Sequence, residues 1–218
     1  MTTTAWSEAK TIIGETRVLL GPQASQQWWE APEHLAMVLA RYRAAAALIG
    51  NARSVLELGC GEGIGARILA QGRNYWGLDD DREAIMLAAE HAHMTMQFDH
   101  ADVLAAPDWL HRQFQAVVAL DVIEHVPAER EGDFMETATV GLSEVGACVI
   151  GTPNAAFDHL ASPQSRAGHV NTYTHDRLHA LMQRHFRLVQ SFGMQDTALH
   201  TGHPEARHYL LLVGVGPR

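Results

Sequence analysis

The stretch VLELGCGEGIGARIL (55–69) carries Glu57 in an apolar run and then four alternating glycines, Gly59, Gly61, Gly63 and Gly65. Such glycines let a backbone turn tightly and let a ligand approach it closely. Two further acidic groups follow later apolar runs: Asp79 and Asp80 in GLDDD, and Asp102 beside Val103 in HADV. An acid after the second run can accept hydrogen bonds from both hydroxyls of a ribose. One after the third can accept from an adenine amino group. A carboxylate at the lip of the first run repels a pyrophosphate and suits an ammonium and a sulfonium. Gly61, Gly63 and Ala66 also satisfy a loose G-x-G-x-x-A pattern, which keeps a dinucleotide as a competitor. The three acids together describe a pocket for S-adenosylmethionine.

A second set has the composition of a reaction centre. In ALDVIEHV (119–126), Asp121, Glu124 and His125 have i, i+3, i+4 spacing and converge if the turn is helical. His169, in GHVNTYTHDRL, falls in a segment expected to cover an acceptor pocket. Carboxylate and imidazole together suit Mg²⁺ or Mn²⁺. The same residues also read as a strand end in which His125 and His169 serve as metal-free acid–base or positioning groups. His175 and His179 share a helix face that reads as solvated. His200, His203 and His208 crowd a loop at a strand edge, where one could touch substrate. Trp28 and Trp29 read equally as part of a lid or as core anchors.

The elements that must position these groups alternate. Strands are expected at 54–59, 74–79, 95–100, 114–121 and 146–153, and helices near 31–50, 64–71, 82–92 and 128–142. Strands apolar throughout and separated by helices indicate a parallel sheet covered on both faces, an α/β fold. The C-terminal part departs from this rhythm. A helix at 174–184 leads to two long strands, 186–194 and 206–215, joined by a loop, which suggests an antiparallel hairpin at one sheet edge. The 218 residues, 47% hydrophobic, suit one well-buried domain. A net charge of -9 disfavours a broad nucleic-acid-binding face. Cys60 and Cys148 form no disulfide-like framework, and the N-terminus shows no export signal. No apolar run is long enough to span a bilayer. These features lead us to expect a cytoplasmic protein without membrane partners.

LELGCGEG, GLDDD, HADV and ALDVIEHV, in this order and spacing, resemble the class I S-adenosylmethionine-dependent methyltransferases. The resemblance implies a Rossmann-like, seven-stranded and mostly parallel sheet with its last strand antiparallel. It implies a cofactor-binding domain over 51–218, preceded by an N-terminal helical segment over 1–50 on the lid or acceptor side. Carried over by position, Glu57, Gly59 and Gly61 hold the methionine end of the cofactor. Asp79, with Asp80 beside it, holds the ribose, Asp102 and Val103 the adenine, and Leu120 the wall beneath the methionine moiety. The acceptor half is similar to the small-RNA terminal 2′-O-methyltransferases, which implies a divalent ion on Asp121, Glu124, His125 and His169, with Asp121 replacing that family's glutamate. The expected reaction is methylation of a small-molecule hydroxyl, on a sugar or polyol-type acceptor. A metal-free N- or C-methyltransferase, a non-catalytic adenosylmethionine-binding module and a dinucleotide oxidoreductase are the competing readings.

Overall fold

Strands that are apolar on both faces need a helical layer against each face, and the chain supplies both. The computed structural model describes residues 4–13, 18–111 and 113–218, so residues 1–3, 14–17 and 112 lie outside it. Three helices come first: α1 (Thr4–Ile13), α2 (Pro22–Glu30) and α3 (Pro32–Leu48). The alternating part follows as β1 (Ser54–Leu58), α4 (Ala66–Leu69), β2 (Asn74–Asp79), α5 (Arg82–Ala89), β3 (Met96–His100) and β4 (Phe114–Leu120). It continues through α6 (Glu131–Gly141), β5 (Leu142–Pro153), α7 (Pro163–Gly168) and α8 (His175–His185). The chain closes with β6 (Phe186–Gln195), β7 (Ala198–His200) and β8 (Tyr209–Pro217).

The strands form one sheet in the order β3-β2-β1-β4-β5-β8-β6-β7. β1 to β5 pair in parallel, and β8 runs antiparallel to both β5 and β6. The expected hairpin is therefore present, but the sheet has eight strands rather than seven. The extra strand arises because the chain reverses at Asp196, whose φ is +52°, and Ala198–His200 pairs with Gly193–Gln195. β5 also begins four residues earlier than expected, since Leu142 leaves α6 already paired with Phe114.

Side chains alternate along each strand and so build two cores. One packs Leu56, Leu58, Val117 and Ile150 under Phe134 and Met135 of α6 and Leu178 and Met182 of α8. The other packs Val55, Val118 and Val149 under Tyr42 and Ala45 of α3 and Leu69 of α4. Cys60 and Cys148 are buried and unpaired. Among the described residues no helix is long and apolar enough to cross a membrane. Sequential strands run outward from β1 in one direction and from β4 in the other, so a crevice opens at their carboxyl ends.

Candidate active site

The glycine turn fills one side of that crevice. Gly59, at φ +73°, follows β1, and its amide and that of Cys60 both donate to the carbonyl of Leu78, at 2.8 and 3.0 Å. A Cβ on Gly59 would stand 2.3 Å from the Val122 side chain, so glycine is required on steric as well as torsional grounds. The amide of Gly61 donates to Asp79 Oδ2 at 2.7 Å, and that of Asp81 to Asp79 Oδ1 at 2.9 Å. Asp79 therefore fixes the glycine turn and its own loop, and partial burial raises its pKa. A cavity of about 840 Å³ opens over this floor. Its wall includes Gly59, Gly61, Asp79, Asp80, Val103 and Leu120.

Two of the expected cofactor residues lie elsewhere. Glu57 is not at the lip, because strand alternation turns it to the same face as Val55, into the core beneath α3. It is 1% exposed and accepts a short hydrogen bond from the Tyr75 hydroxyl. Burial pushes its carboxyl up to about 7 even so, against the Tyr75 and Tyr42 hydroxyls that favour the charged form. Glu57 thus supports the turn from behind and does not line the cavity. Asp102 is exposed, and its carboxylate accepts the Leu104 amide at 2.7 Å. It shapes the loop that presents Val103 and Leu104 to the cavity.

The other side of the crevice is a second cavity of about 630 Å³, which shares Gln23, Gln27, His34, Arg41, Pro153, Ser165 and His169 with the first. At the junction, the ligand atoms of Glu124, His125 and His169 all lie within 4.8 Å of one another. The rings of His125 and His169 meet edge to face, their centroids 5.1 Å apart. His125 Nδ1 donates to the Gly168 carbonyl at 2.9 Å, which leaves the Nε2 lone pair free. Glu124 Oε2 accepts from Thr152 Oγ1 at 2.9 Å, while the buried Oε1 has no partner. Burial, reinforced by the nearby Asp121 charge, pushes the Glu124 carboxyl up to about 8. Burial, followed by the neighbouring His125, lowers the pKa of His169 and favours its neutral imidazole.

Asp121, the fourth expected ligand, lies outside this group. It occupies a left-handed conformation, φ +58°, and both carboxylate oxygens accept from Arg41 Nη1, at 2.9 and 2.8 Å. Arg41 is 8% exposed and sits 4.0 Å over the ring of Tyr209. Sequence reasoning missed Arg41, although its place on the apolar stripe of α3, three residues after Val38, is the signal that could have found it. It also missed His34, Asn154 and Gln195 on the wall of the second cavity. Of the three loop histidines, His208 lines that wall. Trp28 and Trp29 are exposed, so they are not core anchors. His175 is half-buried and meets Ser191 Oγ at 2.9 Å, where a solvated face was expected.

The profile of the methyltransferase domain family matches residues 30–190. A ubiquinone biosynthesis O-methyltransferase of Psychrobacter arcticus is 30% identical over 108 residues, which span 47% of this chain and 41% of that protein. Among solved structures, the methyltransferase domain of bacterial CtHen1-C superposes with TM-score 0.68 at 14% identity, covering 83% of this chain and 99% of the other. The N-methyltransferase NodS of Bradyrhizobium japonicum, bound to S-adenosylhomocysteine, superposes with TM-score 0.64 at 17% identity over 88% and 91% of the two chains. The strand-end floor, the cavity above it and the extent of the family match identify the chain as a member of the class I S-adenosylmethionine-dependent methyltransferases.

Proposed function

We propose that the enzyme transfers the methyl group to a hydroxyl of a small polyhydroxylated acceptor, with a divalent ion held by Glu124, His125 and His169. The convergence of these three side chains where the two cavities join carries this reading. The buried, unpartnered Glu124 Oε1 and the free Nε2 of His125 suit an ion chemically. Their outer oxygen and nitrogen are already held by Thr152 and Gly168, the support that metal ligands need. When bound, Mg²⁺ or Mn²⁺ would act as a Lewis acid on the acceptor hydroxyl, and adenosylmethionine would supply the methyl group.

The chain's own residues do the rest. Asp79 orients the ribose hydroxyls, and Leu120 underlies the methionine end. His169, kept neutral, offers the one lone pair that ligation needs, and the proton of the ion-bound hydroxyl passes to solvent; in a metal-free site the same lone pair would accept that proton. Arg41 neutralises Asp121 at the cavity junction and is the one Lys or Arg lining either cavity among the described residues. That scarcity of cations suits an uncharged acceptor and disfavours phosphate-rich nucleic acid. The Psychrobacter relative, an O-methyltransferase by name, lends the same direction.

Calorimetry should show S-adenosylhomocysteine binding in the micromolar range, about -7 to -8 kcal/mol. Turnover against a panel of polyols and sugars should vanish after EDTA dialysis and return with Mg²⁺ or Mn²⁺. Restoration should be poor in Glu124→Ala. Full turnover in protein shown by elemental analysis to be metal-free would instead leave His125 and His169 as acid–base or positioning groups.

A further inference from the structure

The first turn of a helix leaves backbone amides without intrahelical partners, and a side chain at the N-cap normally takes them. The N-cap of α2 is Gly21, which has no side chain to offer. The acceptor comes from 39 residues away: Glu62 Oε1 accepts the amide of Gln23 at 2.8 Å, and Glu62 Oε2 that of Ala24 at 3.2 Å. The approach is close enough that a Cβ on Gly21 would stand 2.3 Å from the Glu62 carboxyl carbon. Glu62 itself lies between Gly61 and Gly63 in the turn that forms the cofactor floor, and it lines that cavity.

The helix held in this way has little else to hold it. Ala24 is its one buried residue, and Trp28 and Trp29 face outward. Yet Gln23 and Gln27 line both cavities, and Gln26 and Glu30 line the acceptor cavity. One turn therefore has two attachments. Its Gly61 amide reaches Asp79 on the ribose side, and its Glu62 carboxylate reaches α2 on the acceptor side.

We propose that Glu62 is a positioning residue that docks α2 as a wall of the acceptor cavity, so that cofactor occupancy of the glycine turn orders the acceptor side. The coupling half of this proposal rests on the cofactor reading above; the docking half does not. Backbone amide hydrogen exchange tests both, on the full chain with and without S-adenosylhomocysteine. In the ligand-free protein, Glu62→Ala should speed exchange across 22–30 about tenfold, the worth of a lost helix cap. Exchange in α3 and β1 should stay as in wild type. The isosteric Glu62→Gln, which keeps one acceptor oxygen, should lie between the two. S-adenosylhomocysteine should slow exchange in α2 of the wild type, and this effect should disappear in Glu62→Ala while residues 59–65 remain protected.

Unchanged α2 exchange in ligand-free Glu62→Ala and Glu62→Gln would overturn the docking role. Equal ligand protection of α2 in wild type and Glu62→Ala would overturn the coupling. If S-adenosylhomocysteine protects nothing in the wild type, the cofactor reading and the coupling fall together, and the ligand-free comparison still decides the docking. Should Glu62→Ala accelerate exchange everywhere, Glu62→Gln decides: acceleration confined to α2 supports the docking, and none overturns it.

Discussion

The two sides of the crevice are built in opposite ways. The proposed cofactor floor comes from strand ends within residues 59–104, and much of its geometry is backbone: amides of Gly61 and Asp81 on one carboxylate, amides of Gly59 and Cys60 on one carbonyl. The proposed acceptor side is gathered from four distant segments, around 23–41, 121–125, 153–169 and 195–209, and its geometry rests more on side chains: Glu124 on Thr152, Arg41 on Asp121, His125 beside His169. A floor of backbone tolerates few substitutions but binds a constant ligand. A wall of side chains can change its ligand one residue at a time, as loops on a fixed scaffold do.

This contrast makes the largest expected effect one of chemistry without binding. His125→Ala and His169→Ala should each lower turnover by about 100-fold or more, with S-adenosylhomocysteine affinity within about threefold of wild type. Steady-state rates alongside calorimetry separate the two quantities. Loss of cofactor affinity in a folded variant would mean that the two sides are not separable.

Next in size is a pH effect from behind the floor. The Glu57 carboxyl is raised to about 7 from an ordinary 4.5, so the folded state holds a proton that the unfolded state has released. Its stabilising contribution is complete below pH 4.5 and is lost as pH rises to about 7. Glu57→Gln should therefore gain stability over wild type between about pH 5 and 8, by at most about 3 kcal/mol. Denaturant midpoints across that range measure the gain. A constant difference at all pH values would place the Glu57 titration elsewhere.

Asp79→Ala should weaken S-adenosylhomocysteine binding by about 1.5–3 kcal/mol, through loss of charge-assisted hydrogen bonds. Turnover at saturating cofactor should change far less, which sharpens the division from the other direction. The smallest effect expected is that of His175→Ala. Its ring leaves the Ser191 contact, an exposed Asp176 and the neighbouring His179 ring, so stability should fall by about 1 kcal/mol and cofactor affinity not at all.

The same contrast explains what could be read from the sequence. Apolar runs alternating with helical segments specify a parallel α/β sheet, and Asp79, Gly59 and Gly61 follow because strand ends are their place in the chain. Glu57 was misplaced for a reason internal to that logic. Its position one residue before Leu58 fixes which face of the sheet it takes, and the face matters more than nearness to the glycines. Arg41 and Asp121 illustrate the harder case. A left-handed aspartate and the buried arginine that pairs with it are 80 residues apart, so the spacing that marks Arg41 on its helix says nothing of its partner. β7 escaped notice because three paired residues have too little periodicity to register.

The ends of the sheet bear on how the protein behaves when crowded. An unpaired strand edge is a template on which another chain can add. Here one edge is β7, only three residues long, and the other is β3, five residues that include the exposed Asp99 and His100. Asp99 also accepts the Trp76 indole N–H at 2.9 Å, so the charge is held against the edge. Growth by strand addition therefore meets a charged rung at the β3 end, while at the other end β7 covers only Gly193–Gln195 of β6. The fold thus guards the β3 margin of its sheet against aggregation with charge.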